Sequence, residues 1–361
     1  MAAIDFGLFD HLDRRDAPIG RIYEERLQLL EYADAAGFYS YHLAEHHQTP
    51  LAAAPSPSVF LAAATQRTRR LRLGPLVYLL PMYNPLRLIE EVCILDQLSG
   101  GRLDVGVGRG ISPFELRFHG VDPDRSRAMF HEVLAILVAG TAGDRLSFEG
   151  EFYRYDDVPM ELAPVQRPHP PLWYPTTSED GLRYAGRHGM NVVLAGRDDA
   201  VRRQAEIYRE AWRAHAGEPD RLNGQVAEPK LGAIYKMHIA ETDEEALAVA
   251  RPAQRAHYES LAKLWHHFGT EPTGAGHTPD IDAMIARRVA LVGTPARVRE
   301  QVAEYIEASG CNYLVVQPHF GVMTHEQAMR SLRLFVEEVM PAFAEMPVPA
   351  GAGARPAGER T

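Results

Sequence analysis

The sequence predicts an α/β protein folded as a single (β/α)8 barrel with insertions. Three observations carry that expectation. Short apolar runs alternate with longer segments of helical period almost to the end of the chain. Eight such runs can be counted, each followed by a helical pattern, and cap and turn residues separate the two kinds of segment. Strands joined through helices pair in parallel by right-handed crossovers, and eight of these units close into a barrel. An open doubly wound sheet is the competing architecture. At roughly 150 residues per domain, 361 residues would suggest two domains, yet α/β barrels often carry that much chain as one. Residues 1–346 are assigned to the barrel.

The strand-like runs are residues 4–9, 39–43, 71–80, 103–107, 172–174, 191–194, 231–239 and 313–317. Helical patterns cover 19–36, 57–68, 85–98, 126–139, 178–187, 200–216, 243–258 and 295–308, with a closing helix at 324–343. In that last helix Ala328, Leu332, Phe335, Val336 and Val339 form one stripe to bury. Gly37 and Gly310 stand just past helical runs, where a left-handed residue ends a helix at little steric cost. Thr294 followed by Pro295 offers an N-cap with proline at the first helical position. Three stretches break the rhythm. DRLSFEGEFYRYDDV at 144–158 alternates aromatic and polar residues and reads as an inserted hairpin. Residues 259–282 carry Gly, Pro, Thr and the pair His266-His267, and read as a long loop able to cap a pocket. Residues 347–361, rich in Ala, Gly and Pro, read as a disordered tail.

Lys and Arg number 38 against 48 Asp and Glu, a net charge of −10, which is the wrong sign for a nucleic-acid partner. No apolar run reaches the roughly 18 residues of a membrane span, so no membrane partner is expected. The first residues place acids where a secretion signal would be basic and then apolar. Cys93 and Cys311 cannot build a disulfide framework, so a reducing, cytoplasmic setting is expected. The signatures of P-loop NTPases, serine hydrolases and thiol-redox proteins are missing.

In a barrel the reacting groups project from the C-terminal ends of strands. The second strand ends in Ala44-Glu45-His46-His47. Such histidines could serve as a base, contact a ligand, bind a metal or merely cap the strand. Neighbours in an extended segment point to opposite sides, and ligands at helical spacing are missing, so no metal is assigned. The fourth strand ends in Gly106-Val107-Gly108-Arg109-Gly110. A dinucleotide loop needs glycine at the sixth place and a helix opening at once. Here the sixth place is Ile111, and Ser112-Pro113-Phe114 does not read as an immediate helix start. What remains is a side-chain-poor strand end with one cation, where a flat or anionic ligand can approach the backbone. After the fifth strand, Pro175-Thr176-Thr177-Ser178 leads into a helix. Hydroxyls and free N–H groups there suit a phosphate, or form an ordinary cap. Arg127 at another helix start could add a bidentate guanidinium, or sit in a surface ion pair.

Together these pieces resemble the bacterial luciferase-like flavin monooxygenases. The likeness rests on AEHH at 44–47, LLPMYNPLRLIEEVCILDQLSGGRLDVGVGRG at 79–110 and SRAMFHEVL at 126–134. It extends through RPHPPLWYPTTSEDGLRYAGRHG at 167–189, LVGTPARVREQVAEYIEASG at 291–310 and VMPAF at 339–343. The resemblance implies a TIM barrel that takes reduced FMN from a separate flavin reductase. With O2 it would form a flavin hydroperoxide and insert one oxygen atom into a medium-sized organic substrate. By the same likeness His46 handles protons near the flavin and His47 has an orienting role. Arg109, Gly110, Arg127, Thr176, Thr177 and Ser178 would hold the cofactor phosphate. Leu76-Val77 lies where relatives carry a non-proline cis peptide against the flavin ring.

Gly108, Asn84 and Gly181 stand where the luciferase α subunit has cysteine, histidine and threonine, so light emission from long-chain aldehydes is not expected. A homodimer is expected, because such chains commonly pair through barrel helices and the 85–98 helix is unusually apolar. Two alternatives stay open: a deazaflavin-dependent oxidoreductase of the same superfamily, and a non-catalytic flavin-binding partner subunit. The luciferase partner subunit lacks the arginine–glycine pair that stands here as Arg109-Gly110, which favours the enzyme.

Overall fold

Strands buried on both faces read as continuous apolar runs rather than alternating ones. In the computed structural model, residues 4–272 and 278–343 are described, and they show this pattern throughout the central sheet. The strands are β1 (Asp5–Asp10), β2 (Ser40–Leu43), β3 (Arg72–Pro75), β4 (Tyr78–Leu79), β5 (Val105–Gly108), β6 (Arg145–Glu149), β7 (Arg154–Pro159), β8 (Leu172–Trp173), β9 (Val192–Leu194), β10 (Leu231–Ile239), β11 (Ala290–Gly293) and β12 (Tyr313–Gln317). β12 pairs with β1, β1 with β2, and β2 with β3, all in parallel. A bridge from Leu73 to Leu103 carries the ladder to β5, which pairs with β8. A second bridge, Trp173 to Asn191, reaches β9, which pairs with β10, and β10 pairs with β12. The parallel ladder thus returns to its start through eight strands, the expected (β/α)8 barrel.

Alternation along the strands divides the core. Phe9, Trp173, Val193, Tyr313 and Val315 meet in one buried cluster. Their neighbours Phe6, Leu8, Val192, Leu194, Leu314 and Val316 join the larger cluster shared with the helices. The helix ends follow the sequence signals. Gly37 and Gly310 adopt φ of 87° and 62° past Ile19–Ala36 and Pro295–Ser309. Thr294 accepts from Arg297 N, and Thr324 and Gln327 complete a capping box before His325–Leu334.

Several expectations need correction. The run 71–80 is two strands, because the chain turns between them at a cis Leu76–Val77 peptide. β11, beside the C-terminal half of β10, was not among the eight expected runs. Residues 259–267 are not loop: the helix Asp243–His267 continues through them. Leu261, Leu264 and Trp265 keep its apolar period, and the last two pack on Phe114. Ser112 does open a helix, Pro113–Phe118, with its hydroxyl accepting from Glu115 N. The closing helix becomes a π turn at Phe335–Val339 and a 3-10 turn at Met340–Phe343. Segment 144–158 pairs β6 with β7 in antiparallel. Residues 347–361 lie outside the described residues. No helix among the described residues is long and apolar enough to cross a membrane.

Candidate active site

The second strand delivers two histidines to two different carboxylates. Glu45, buried at 3% exposure, accepts from Leu79 N at 3.0 Å and from the Tyr83 hydroxyl at 2.9 Å. Its other oxygen lies 2.8 Å from His47 Nε2, so one carboxylate both orients His47 and ties down the β4 segment. His46 turns the other way, with Nδ1 3.2 Å from Oε1 of the buried Glu115. The contact engages the Nδ1 edge of the His46 ring and leaves Nε2 outside it. The short helix Pro113–Phe118 exists to place that acid, and sequence reasoning missed it. The cap signal Ser112-Pro113 was present, but six residues offer no apolar stripe.

His46 stacks on His11, with ring centroids 5.6 Å apart and planes 28° apart. His11 follows β1 and meets the edge of His257 at 4.9 Å. His257 Nδ1 lies 2.9 Å from Oδ1 of Asp13. Burial pushes the Asp13 carboxyl above the usual carboxylate range, against the pull of the Lys236 ammonium. Burial likewise draws Lys236 below the ordinary lysine range, with Asp13 opposing. None of these four was singled out from the sequence. The strand-end string Asp10-His11-Leu12-Asp13 was the available signal for two of them, whereas His257 lies inside a helical run with nothing local to mark it.

The glycines of β5 serve a different neighbour from the one expected. A Cβ on Gly106 would lie 2.2 Å from the Pro75 carbonyl oxygen, and one on Gly108 would lie 2.4 Å from Val77 Cγ2. The space is filled by the chain's own 75–77 turn, not left for a ligand. That turn carries the cis Leu76–Val77 bond, with Leu76 buried and Val77 half-buried.

Arg109 and Arg127 both act electrostatically on Tyr174. Both guanidiniums draw down the Tyr174 phenol, which burial pushes up. Arg109 Nη1 donates to Ser126 Oγ at 3.3 Å, and both arginines are exposed. Immediately after Tyr174, Ser178 Oγ accepts from Gly181 N at 3.2 Å and caps the helix Glu179–His188. Thr176 Oγ1 lies 3.4 Å from Ser178 Oγ, while Thr177 is exposed. A Cβ at Gly181 would come within 2.2 Å of Thr176 Oγ1, so a threonine does not fit there unless Thr176 moves. Gly110, at φ 92°, ends the arginine-bearing strand in a conformation suited to glycine. Two guanidiniums, two hydroxyls and a helix N-terminus suit a phosphate monoester such as that of FMN. The first-turn acid Glu179 is paired with Arg183 at 2.8 Å.

Glu45, His46, His47, Arg109, Thr176 and Ser178 follow the C-terminal ends of β2, β5 and β8, which is where a barrel enzyme builds its site. The family model for luciferase-like monooxygenases matches residues 4–312. The chain is 29% identical to limonene 1,2-monooxygenase of Rhodococcus erythropolis, over 94% of this chain and 87% of that protein. The crystal structure of monooxygenase RslO1 from Streptomyces bottropensis superposes with a TM-score of 0.83 at 31% identity, covering 94% of this chain and 100% of that one. The oxygenating constituent of 3,6-diketocamphane monooxygenase from Pseudomonas putida, in complex with FMN, gives 0.78 at 25% identity, covering 96% and 100%. The chain belongs to the luciferase-like monooxygenase family.

Proposed function

We propose that this chain is the oxygenating component of a two-component flavin-dependent monooxygenase. A separate flavin reductase would supply reduced FMN, and the substrate would be a medium-sized organic molecule. The observation that carries this reading is that Arg109, which follows the β5 strand paired with β8, and Arg127 both act electrostatically on Tyr174, and that the hydroxyls of Thr176 and Ser178 follow Tyr174 at the start of the helix Glu179–His188. The FMN complex of the 3,6-diketocamphane relative and its description as an oxygenating constituent support both the cofactor and the division of labour.

Arg109, Arg127, Thr176, Thr177 and Ser178 would bind the phosphate, with Gly110 shaping the approach, and Leu76 and Val77 would form the wall against the ring. Bound reduced FMN would supply two electrons to O2, so that one oxygen atom enters the substrate and the other leaves as water. His46 holds or accepts a proton at Nε2 while Glu115 fixes its ring, and Glu45 does the same for His47.

Anaerobic titration with reduced FMN tests the reading. The wild-type chain is expected to bind, and replacing Arg109 and Arg127 together by alanine should weaken binding at least tenfold, since charge-assisted hydrogen bonds contribute about 1.5–3 kcal/mol each. Tight binding of a reduced deazaflavin with no binding of reduced FMN would overturn it. The chain is also proposed to form a homodimer through the helix Pro85–Ser99, where Ile94 and Leu98 are nearly half exposed.

A further inference from the structure

A cavity of about 190 Å³ opens beside His11, between the ends of β1, β10 and β12. Its walls are mostly apolar, with Phe9, Ile234, Leu261 and Met284 among them. Into it projects Lys236, a lysine only 9% exposed. Among the described residues its ammonium makes one hydrogen bond, donating to Gln317 Oε1 at 3.0 Å, and sits 5.1 Å over the Phe320 ring. No carboxylate of the described residues forms an ion pair with it within 4.0 Å, and the acid nearest in effect, Asp13, is bonded to His257. An ammonium has three donors, so two remain for a ligand. Gln317 is locked in this orientation because its amide nitrogen lies 3.2 Å from His11 Nδ1. Gln254, also lining the cavity and 2% exposed, donates to Thr278 O while its Oε1 has no donor among the described residues.

Removing an ammonium from water is costly unless an anion or dipoles replace the water. We infer that this cavity is the substrate subsite, and that it takes a compact molecule with an apolar, single-ring body and one carboxylate, which Lys236 anchors. The inference rests on the monooxygenase reading above. The volume is below the roughly 300–1,000 Å³ of pockets for drug-sized ligands, which limits the body to a small ring system. Stacking of His11 on His46 joins the cavity to the proton-handling histidine. His11, Asp13 and His257 also bring one ligand atom each within 4.8 Å of one another, but Lys236 in its ammonium form acts on Asp13 and opposes a second cation there.

The test uses the flavin-free chain, so its outcome is separate from that of the FMN titration. Cyclohexanecarboxylate and benzoate are compared with their methyl esters by calorimetry and saturation-transfer NMR. The acids are expected to bind at one shared site and the esters at least tenfold more weakly. Lys236→Met should abolish that preference, Lys236→Arg should keep part of it, and reduced FMN should bind both variants as it binds the wild type. Equal binding of acids and esters by the wild type, or no binding of either acid, overturns the inference even where FMN binds normally. An acid preference that survives in a folded Lys236→Met protein overturns it as well.

Discussion

His46 and Glu115 are 69 positions apart in sequence and meet at 3.2 Å. A histidine positioned by a buried acid on one nitrogen suits proton transfer through the other, which contributes about 10²–10⁴-fold in enzymes. His46→Ala is therefore expected to retain reduced-FMN binding and lose at least about 100-fold in turnover, checked by anaerobic titration and steady-state kinetics. Unchanged turnover would remove His46 from that role. A second histidine behaves differently. His42, fully buried, places Nε2 2.9 Å from the Tyr313 hydroxyl, and burial draws its imidazole down to about 3. The unfolded chain protonates this side chain below about 6.5, whereas the native one resists until about 3. Its contribution is thus present above pH 6.5 and lost as the pH falls through that window. His42→Gln should flatten the acid slope of urea-unfolding free energy between those limits by up to roughly 1.4 kcal/mol per pH unit.

At the scale of elements, β5 and the 75–77 turn fit together through missing side chains. Gly106→Ala would place a methyl 2.2 Å from the Pro75 oxygen and 3.1 Å from Leu76 Cα, both backbone atoms that must shift. A loss of about 1–3 kcal/mol on denaturant unfolding is expected, with weaker reduced-FMN binding because Leu76 and Val77 move. Gly20→Ala is the control: nothing lies within 4 Å of its Cβ, and it sits in a helix, so it should be neutral or slightly stabilising. Elements also explain what was hard to read. The four-residue β11 is too short to stand out by periodicity, and the helix Pro113–Phe118 is too short to show a stripe. Residues 259–267 read as loop because paired histidines masked Leu261, Leu264 and Trp265, whose spacing continued the helix.

For the whole molecule, the exposed apolar side chains Ile94 and Leu98 on the helix Pro85–Ser99, with Val59 at 72% on the helix Pro57–Arg67, form the face proposed to pair. Light scattering at micromolar concentration should return twice the chain mass. Replacing Ile94 and Leu98 by glutamate should halve it without lowering reduced-FMN affinity. A one-chain mass for the wild type would refute the dimer.

Much of this protein was determined by its sequence alone: the order of the eight barrel strands and of the long helices, the glycine and threonine caps, the hydroxyl-capped helix start after Tyr174 and the histidine pair after the second strand. Those features rest on local hydrogen bonding and on the period with which a segment buries its side chains, and both are written in neighbouring residues. The tertiary structure decided the rest. It chose Glu115 for His46 and Glu45 for His47, turned the β5 glycines toward the chain's own cis turn, and gathered His11, Lys236 and His257 around one cavity, with Asp13 held against His257. Those meetings depend on strand register and barrel closure, which all eight strands fix together and no single segment encodes.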